Sequence, residues 1–146
     1  MLRRGMGWVV WALVGCGPLR EEVPLTRVCV NGGQWADPSS QTFAVGQPLR
    51  VYVSPPSGTC RPLCDEVISQ ECSLTREGTT FTVRGRVVVD VDCRGRTPPP
   101  ACSAPGVFCE TPPLEAGRYT FTSGTESVTI EVPSTVSNNG VCSSTF

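Results

Sequence analysis

Nine cysteines in 146 residues constrain this chain more than any other feature. They stand at positions 16, 29, 60, 64, 72, 93, 102, 109 and 142. An odd number cannot all pair within one chain, so at least one thiol has another use. In an oxidising compartment such a set reads as a disulfide framework, and in a reducing one as metal ligands or redox groups. The metal reading has little to work with. The chain has no histidine and no Cys-x-x-Cys pair, and the spacing from Cys60 to Cys64 does not recur from Cys64 to Cys72. Paired close cysteines are the usual signature of a zinc site, so no metal is expected.

The first sixteen residues supply both the compartment and the odd thiol. Arg3 and Arg4 form a positive head, Gly5 to Val14 is an uncharged and mostly apolar run, and the small Gly15 precedes Cys16. That is the three-part layout of an export signal. Ten residues of helix span only about 15 Å, roughly half a bilayer core, so the run is too short to cross a membrane. A buried core helix is the competing reading. The arginine pair and the Gly17-Pro18 break count against it.

Leu13-Val14-Gly15-Cys16 resembles the bacterial lipobox at all four positions. The resemblance implies that the Cys16 thiol carries a diacylglyceryl group, that cleavage falls before Cys16, and that the new amine is acylated. An ordinary signal with a nearby cleavage site and an unmodified Cys16 is the alternative. Each buried methylene is worth about 0.8 kcal/mol and one chain anchors only marginally, so two or three chains on one cysteine hold firmly. The arginine pair lacks the flanks of a twin-arginine signal, which leaves the general export route. Gly17, rather than aspartate, follows the lipidated cysteine. By the same resemblance the protein sorts to the outer membrane.

Lipidation removes Cys16 from the count. Cys29, Cys60, Cys64, Cys72, Cys93, Cys102, Cys109 and Cys142 remain as disulfide candidates, an even set able to close four bonds. At about 2–4 kcal/mol each, these bonds would stabilise a core poor in large side chains, and reduction is expected to unfold it. Removing residues 1–15 leaves 131, the size of one domain. The ten arginines that remain stand against thirteen acidic residues, and there is no lysine. No basic stripe suggests nucleic acid.

The expected layout is a signal peptide over 1–15, a lipidated tether over 16–25, a sandwich domain over 26–133, and a tail over 134–146 pinned by Cys142. Short alternating runs recur between turn signals. Thr26–Val30 is the first. Leu49-Arg50-Val51-Tyr52-Val53 is the cleanest early one, with Leu49, Val51 and Val53 on one face and Arg50 and Tyr52 on the other. Val67–Leu74 follows, and Glu77-Gly78 turns the chain into Thr79–Val83. Gly85 interrupts before Val87, Val89 and Val91, which predicts a bulge or a bend between sheets. Residues 35–41 read as loop. Cys93 to Pro113 reads as an irregular, proline-rich loop held by disulfides. Residues 118–122 and 127–132 form a hairpin that Pro133 ends. No stretch after residue 16 keeps a 3.6-residue apolar period. The fold class is therefore all-β, an antiparallel β-sandwich of about seven strands.

Leu114-Glu115-Ala116-Gly117-Arg118-Tyr119-Thr120-Phe121, followed by a return strand ending Glu131-Val132-Pro133, resembles the last hairpin of immunoglobulin-like domains in bacterial surface proteins. The resemblance covers about 20 residues and implies a fold, not a function. The tryptophan of antibody-type domains has no counterpart, since none follows Trp35. The chain as a whole resembles the small cysteine-rich lipoproteins of Gram-negative bacteria.

The chemistry open to the chain is narrow. Without histidine or lysine it lacks the usual general bases near neutral pH, and a Ser-His-Asp triad or Cys-His pair cannot form. No phosphate-binding glycine loop is present. Asp90 and Asp92 are the only carboxylate pair worth weighing for a hydrolase, and two carboxylates on one strand face read first as a solvated edge. Residues 90–95 superficially resemble a calcium loop, but Arg94 stands where a third oxygen ligand belongs and Ala101 where glutamate does. No cofactor is expected, and the chain is not expected to be an enzyme. The leading expectation is a membrane-anchored module that binds an envelope protein or a carbohydrate by its loops, with Trp35, Arg94, Arg96 and the Cys93–Cys109 region as the surface. Trp35 reads more readily as a lid on the core. The alternatives are a protease-inhibitor-like protein using the stapled loop from Arg94 to Cys109, and a carboxylate hydrolase.

Overall fold

The computed structural model describes residues 19–32, 40–56, 61–62, 65–91, 102–137 and 140–143. Among them lie thirteen strands and no helix. In chain order these are β1 (Leu19–Val23), β2 (Arg27–Gly32), β3 (Ser40–Phe43), β4 (Leu49–Ser54), β5 (Arg61–Pro62), β6 (Glu66–Glu77), β7 (Thr80–Val91), β8 (Cys102–Ser103), β9 (Val107–Glu110), β10 (Gly117–Ser123), β11 (Glu126–Val132), β12 (Ser134–Ser137) and β13 (Val141–Cys142). Seven of them, β1, β2, β4, β6, β7, β10 and β11, have five residues or more.

The first sheet is built on β7. β6 runs antiparallel along its whole length. On the other side β7 changes partner midway. Thr80–Thr82 pair with β10, and Val87–Val91 pair with β1. β11 closes the sheet beyond β10. The pairing of β10 with β7 is parallel, so the sandwich is not antiparallel throughout as expected. The second sheet runs β13-β2-β4-β9 and is antiparallel. Two short ribbons, β3 with β12 and β5 with β8, complete the set.

Alternation explains how the sheets meet. Phe81, Val83, Val87 and Val89 of β7, Tyr119 and Phe121 of β10, and Val128, Ile130 and Val132 of β11 all point one way. They form one buried cluster with Val28, Val30, Leu49, Val51, Val53 and Val107 of the second sheet. Phe81 and Phe121 sit opposite each other in the parallel register, and their rings stack at 4.9 Å. Tyr119 is buried with them, and its hydroxyl donates to the Glu115 carbonyl at 2.9 Å, which fixes the corner before β10. Such a bond is worth about 1 kcal/mol net.

Gly85 neither bulges the strand nor carries it into another sheet. β7 continues through it, opposite Cys72 of β6, and the one register shift lies between Val67 and Ser69. A side chain at Gly85 would meet Val107 Cγ1 at 2.7 Å and Leu25 Cδ1 at 2.9 Å. The missing Cβ lets the two sheets approach at this level, where the Cys72–Cys109 disulfide joins β6 to β9 with Cα atoms 5.4 Å apart. Gly78 and Gly124 do different work. Each opens a two-residue Gly-Thr hairpin loop with φ near +60°, a conformation that disfavours side chains.

Four stretches differ from the expected layout. Residues 19–23, placed in the tether, are β1 and pair with β7. The tail past Pro133 carries β12 and β13, both paired into the body. The proline-rich stretch after Cys93 contains β9, a strand of four residues too short for its alternation to register. Ser40 and Gln41, expected in a loop, begin β3, whose Phe43 is fully buried. The pinning of the tail is a disulfide: Cys29 and Cys142 are directly opposite in the β2–β13 register, their Cα atoms 4.0 Å apart. Cys16, Cys60, Cys64 and Cys93 lie outside the described residues, and of Cys102 only the backbone is described.

Candidate functional site

The outer face of the second sheet carries an aromatic and arginine patch. It follows from the same alternation that builds the core. With Val28, Val30, Val51, Val53, Val107 and Cys109 turned inward, β2 must present Arg27, Cys29 and Asn31 outward, β4 Arg50 and Tyr52, and β9 Phe108 and Glu110. The register sets these in rows across the strands. One row runs Cys142, Cys29, Tyr52, Phe108, and the next runs Asn31, Arg50, Glu110.

The rings of Tyr52 and Phe108 touch, with centroids 4.6 Å apart. Tyr52 is also held at its tip. Its hydroxyl donates to the Ala104 carbonyl at 3.2 Å. Phe108 is 49% exposed, large for an aromatic ring of a strand, and rests against Tyr52 rather than in the core. The Arg50 guanidinium lies 5.8 Å from the Phe108 centroid, a cation–π contact worth about 0.5–1 kcal/mol at an exposed site. The Cys29–Cys142 bond caps the far end of the aromatic row.

Burial pushes the Tyr52 phenol above its ordinary value of 10.0, against a smaller opposing pull from the Arg27 charge. The folded state therefore holds this proton more tightly than the unfolded chain. Stability carried by the group is complete below the unfolded value and falls as pH rises from there through the folded one. With two tyrosines in the chain, a Tyr119→Phe background isolates Tyr52. Absorbance at the phenolate band is expected to give a midpoint above 10.0, and Tyr52→Phe to blunt the loss of stability in alkali.

Arranged this way, the face offers a rigid apolar ring, a cation and a carboxylate within neighbouring rows. Aromatic and arginine side chains that are already held in place lose little freedom on binding, and they dominate interface energetics. Among the described residues, the face pairs no nucleophile with a base. Asp90, one of the two carboxylates weighed for hydrolysis, lies on the other sheet with Oδ1 3.3 Å from Arg20 Nε. Its companion Asp92 is outside the described residues, as are Trp35, Arg94 and Arg96. Phe108 does fall in the Cys93–Cys109 region expected to carry the surface, and Tyr52 was expected to face outward. What the sequence concealed was their meeting, which needs the pairing of β4 with β9. In comparisons with known proteins, no protein-family model, no curated protein and no solved structure matches the chain.

Proposed function

We propose that this is an exported, non-catalytic envelope lipoprotein, anchored in the outer membrane by lipid on Cys16, whose β-sandwich binds another envelope protein through the Tyr52–Phe108 face. The observation that carries the binding role is the half-exposed Phe108 ring, braced by Tyr52 and flanked by Arg50. Carbohydrate is the lesser partner, because Arg50 already lies over the exposed Phe108 ring on which a sugar would stack. The anchor is supported by the lipobox and by cysteine parity. With Cys29–Cys142 and Cys72–Cys109 formed, Cys60, Cys64, Cys93 and Cys102 make an even remainder only if Cys16 is used otherwise. The bond from Tyr119 to Glu115 is the kind of corner found in immunoglobulin-like sandwiches and supports that likeness.

Two measurements test this reading. The intact mass of protein purified from membranes, with free thiols alkylated, is expected to show a chain beginning at Cys16 with acyl mass and no alkyl tags. A lipid-free mass removes the anchor. For the face, a photo-crosslinking amino acid at position 108 in living cells is expected to yield a discrete protein adduct. The same residue at exposed Thr129, on the outer face of β11, should not. Equal yields at the two positions would remove the binding role of the face.

A further inference from the structure

The start of β1 limits how far the sandwich can stand from the lipid. Leu19 is already paired with Val91, so only residues 17 and 18 separate Cys16 from the sheet. Three residues of extended chain reach at most about 11 Å. The headgroup layer of one leaflet is itself about 5–8 Å thick. A sheet hung on so short a lead rests on the membrane.

The same end of the first sheet is where its exposed apolar side chains gather. Leu19 is 53% exposed, Val67 41% and Ile68 39%. Leu19 lies on β1 opposite Val91, and Val67 on β6 opposite Val89, so the three occupy the flanks of one stretch of β7. Ile68 is the extra residue at the β6 register shift, and the bulge turns it into a shallow groove with Arg20, Glu22, Arg86 and Val88. Several of the charges around the patch are drawn into pairs. Arg20 meets Asp90 at 3.3 Å, while Arg61 meets Glu21 at 2.7 Å and Asp65 at 2.9 Å. The Arg20 side chain stays 68% exposed, long enough to lay its stem along lipid and its head among phosphates.

We infer that the end of the sandwich bearing Leu19, Val67 and Ile68 lies against the lipid surface that holds Cys16, and that this contact orients the domain. The inference rests on the lipid anchor proposed above and adds to it a defined surface. Its occupant is the headgroup region of the host membrane. Three apolar side chains and an arginine there add to the acyl chains a second contact, which fixes orientation rather than supplying the hold.

The native acylated chain, in vesicles of phosphatidylethanolamine and phosphatidylglycerol carrying a diazirine-bearing phospholipid, tests this without any variant. After illumination, peptide mapping is expected to find lipid adducts on residues 19–23 and 66–70, several-fold above those on residues 50–54 and 107–110. Uniform labelling, or adducts confined to other segments, overturns the contact. The intact mass of the same sample separates the two readings. Acyl mass on Cys16 with an unlabelled patch defeats the orientation alone, and absent acyl mass defeats the anchor and the orientation together.

Discussion

Phe121→Ala is expected to lower the free energy of unfolding by about 3–5 kcal/mol, the usual cost of emptying a buried phenylalanine site. Phe121 is fully buried and stacks on Phe81 at 4.9 Å, with Tyr119 completing the group against Phe81. The neighbouring strands are fixed on both sides by the β7 and β11 registers, so the cavity has little freedom to collapse. Against a typical total of about 5–15 kcal/mol the loss is large. Urea unfolding should show a lower midpoint with an unchanged slope. Thr120→Ala on the opposite face is the control. It forfeits a 3.0 Å contact with Thr129 Oγ1 at the surface and should cost under about 1 kcal/mol. Equal effects of the two substitutions would contradict the inward and outward assignment of β10.

Replacing Cys29 and Cys142 together by alanine is expected to cost about 4 kcal/mol. The bond closes a loop of 113 residues, which by chain entropy is worth nearly 5 kcal/mol. The Cys72–Cys109 bond lies inside that loop and already restricts the unfolded chain, which trims the figure. The damage should be local first. β13 is two residues long, and Ser143 both donates to the Val28 carbonyl at 2.8 Å and accepts from the Val28 N–H through its hydroxyl. Without the bond that pair has little to hold it. Hydrogen exchange at Ser143 should accelerate before any change at Val51 or Phe121, and full reduction should unfold the domain. Unaltered protection at Ser143 in the double variant would show that the strand holds itself.

Much of the sandwich was legible because its long strands obey a two-residue period. Leu49–Val53 and the two strands around Gly124 could be read directly, and their inward residues are the buried ones. Glycine at 85 was misread because sequence shows only that a side chain is missing. Whether the absence bends a strand or admits a neighbour depends on Val107 and Leu25, which are distant in sequence. Short strands were missed for another reason. β3, β9 and β12 have four residues each, and they owe their existence to partners at the far end of the chain or across the sheet. β1 was hidden by Pro18, Pro24 and a charged middle. Its Glu21 and Glu22 are tolerated in a strand because Arg61 and Arg86 meet them. The candidate face was half visible. Alternation put Tyr52 outward, but the spatial row from Cys142 to Phe108 is a property of register alone.

The pairing of Cys29 with Cys142 also makes most of the domain a closed covalent ring. A protease that cuts once anywhere between those residues opens the ring without releasing a piece. The nicked molecule gains the mass of one water, keeps its two pieces covalently joined, and separates into fragments only when disulfides are reduced. Proteolytic damage would thus accumulate silently, visible on a reducing gel and absent from a non-reducing one.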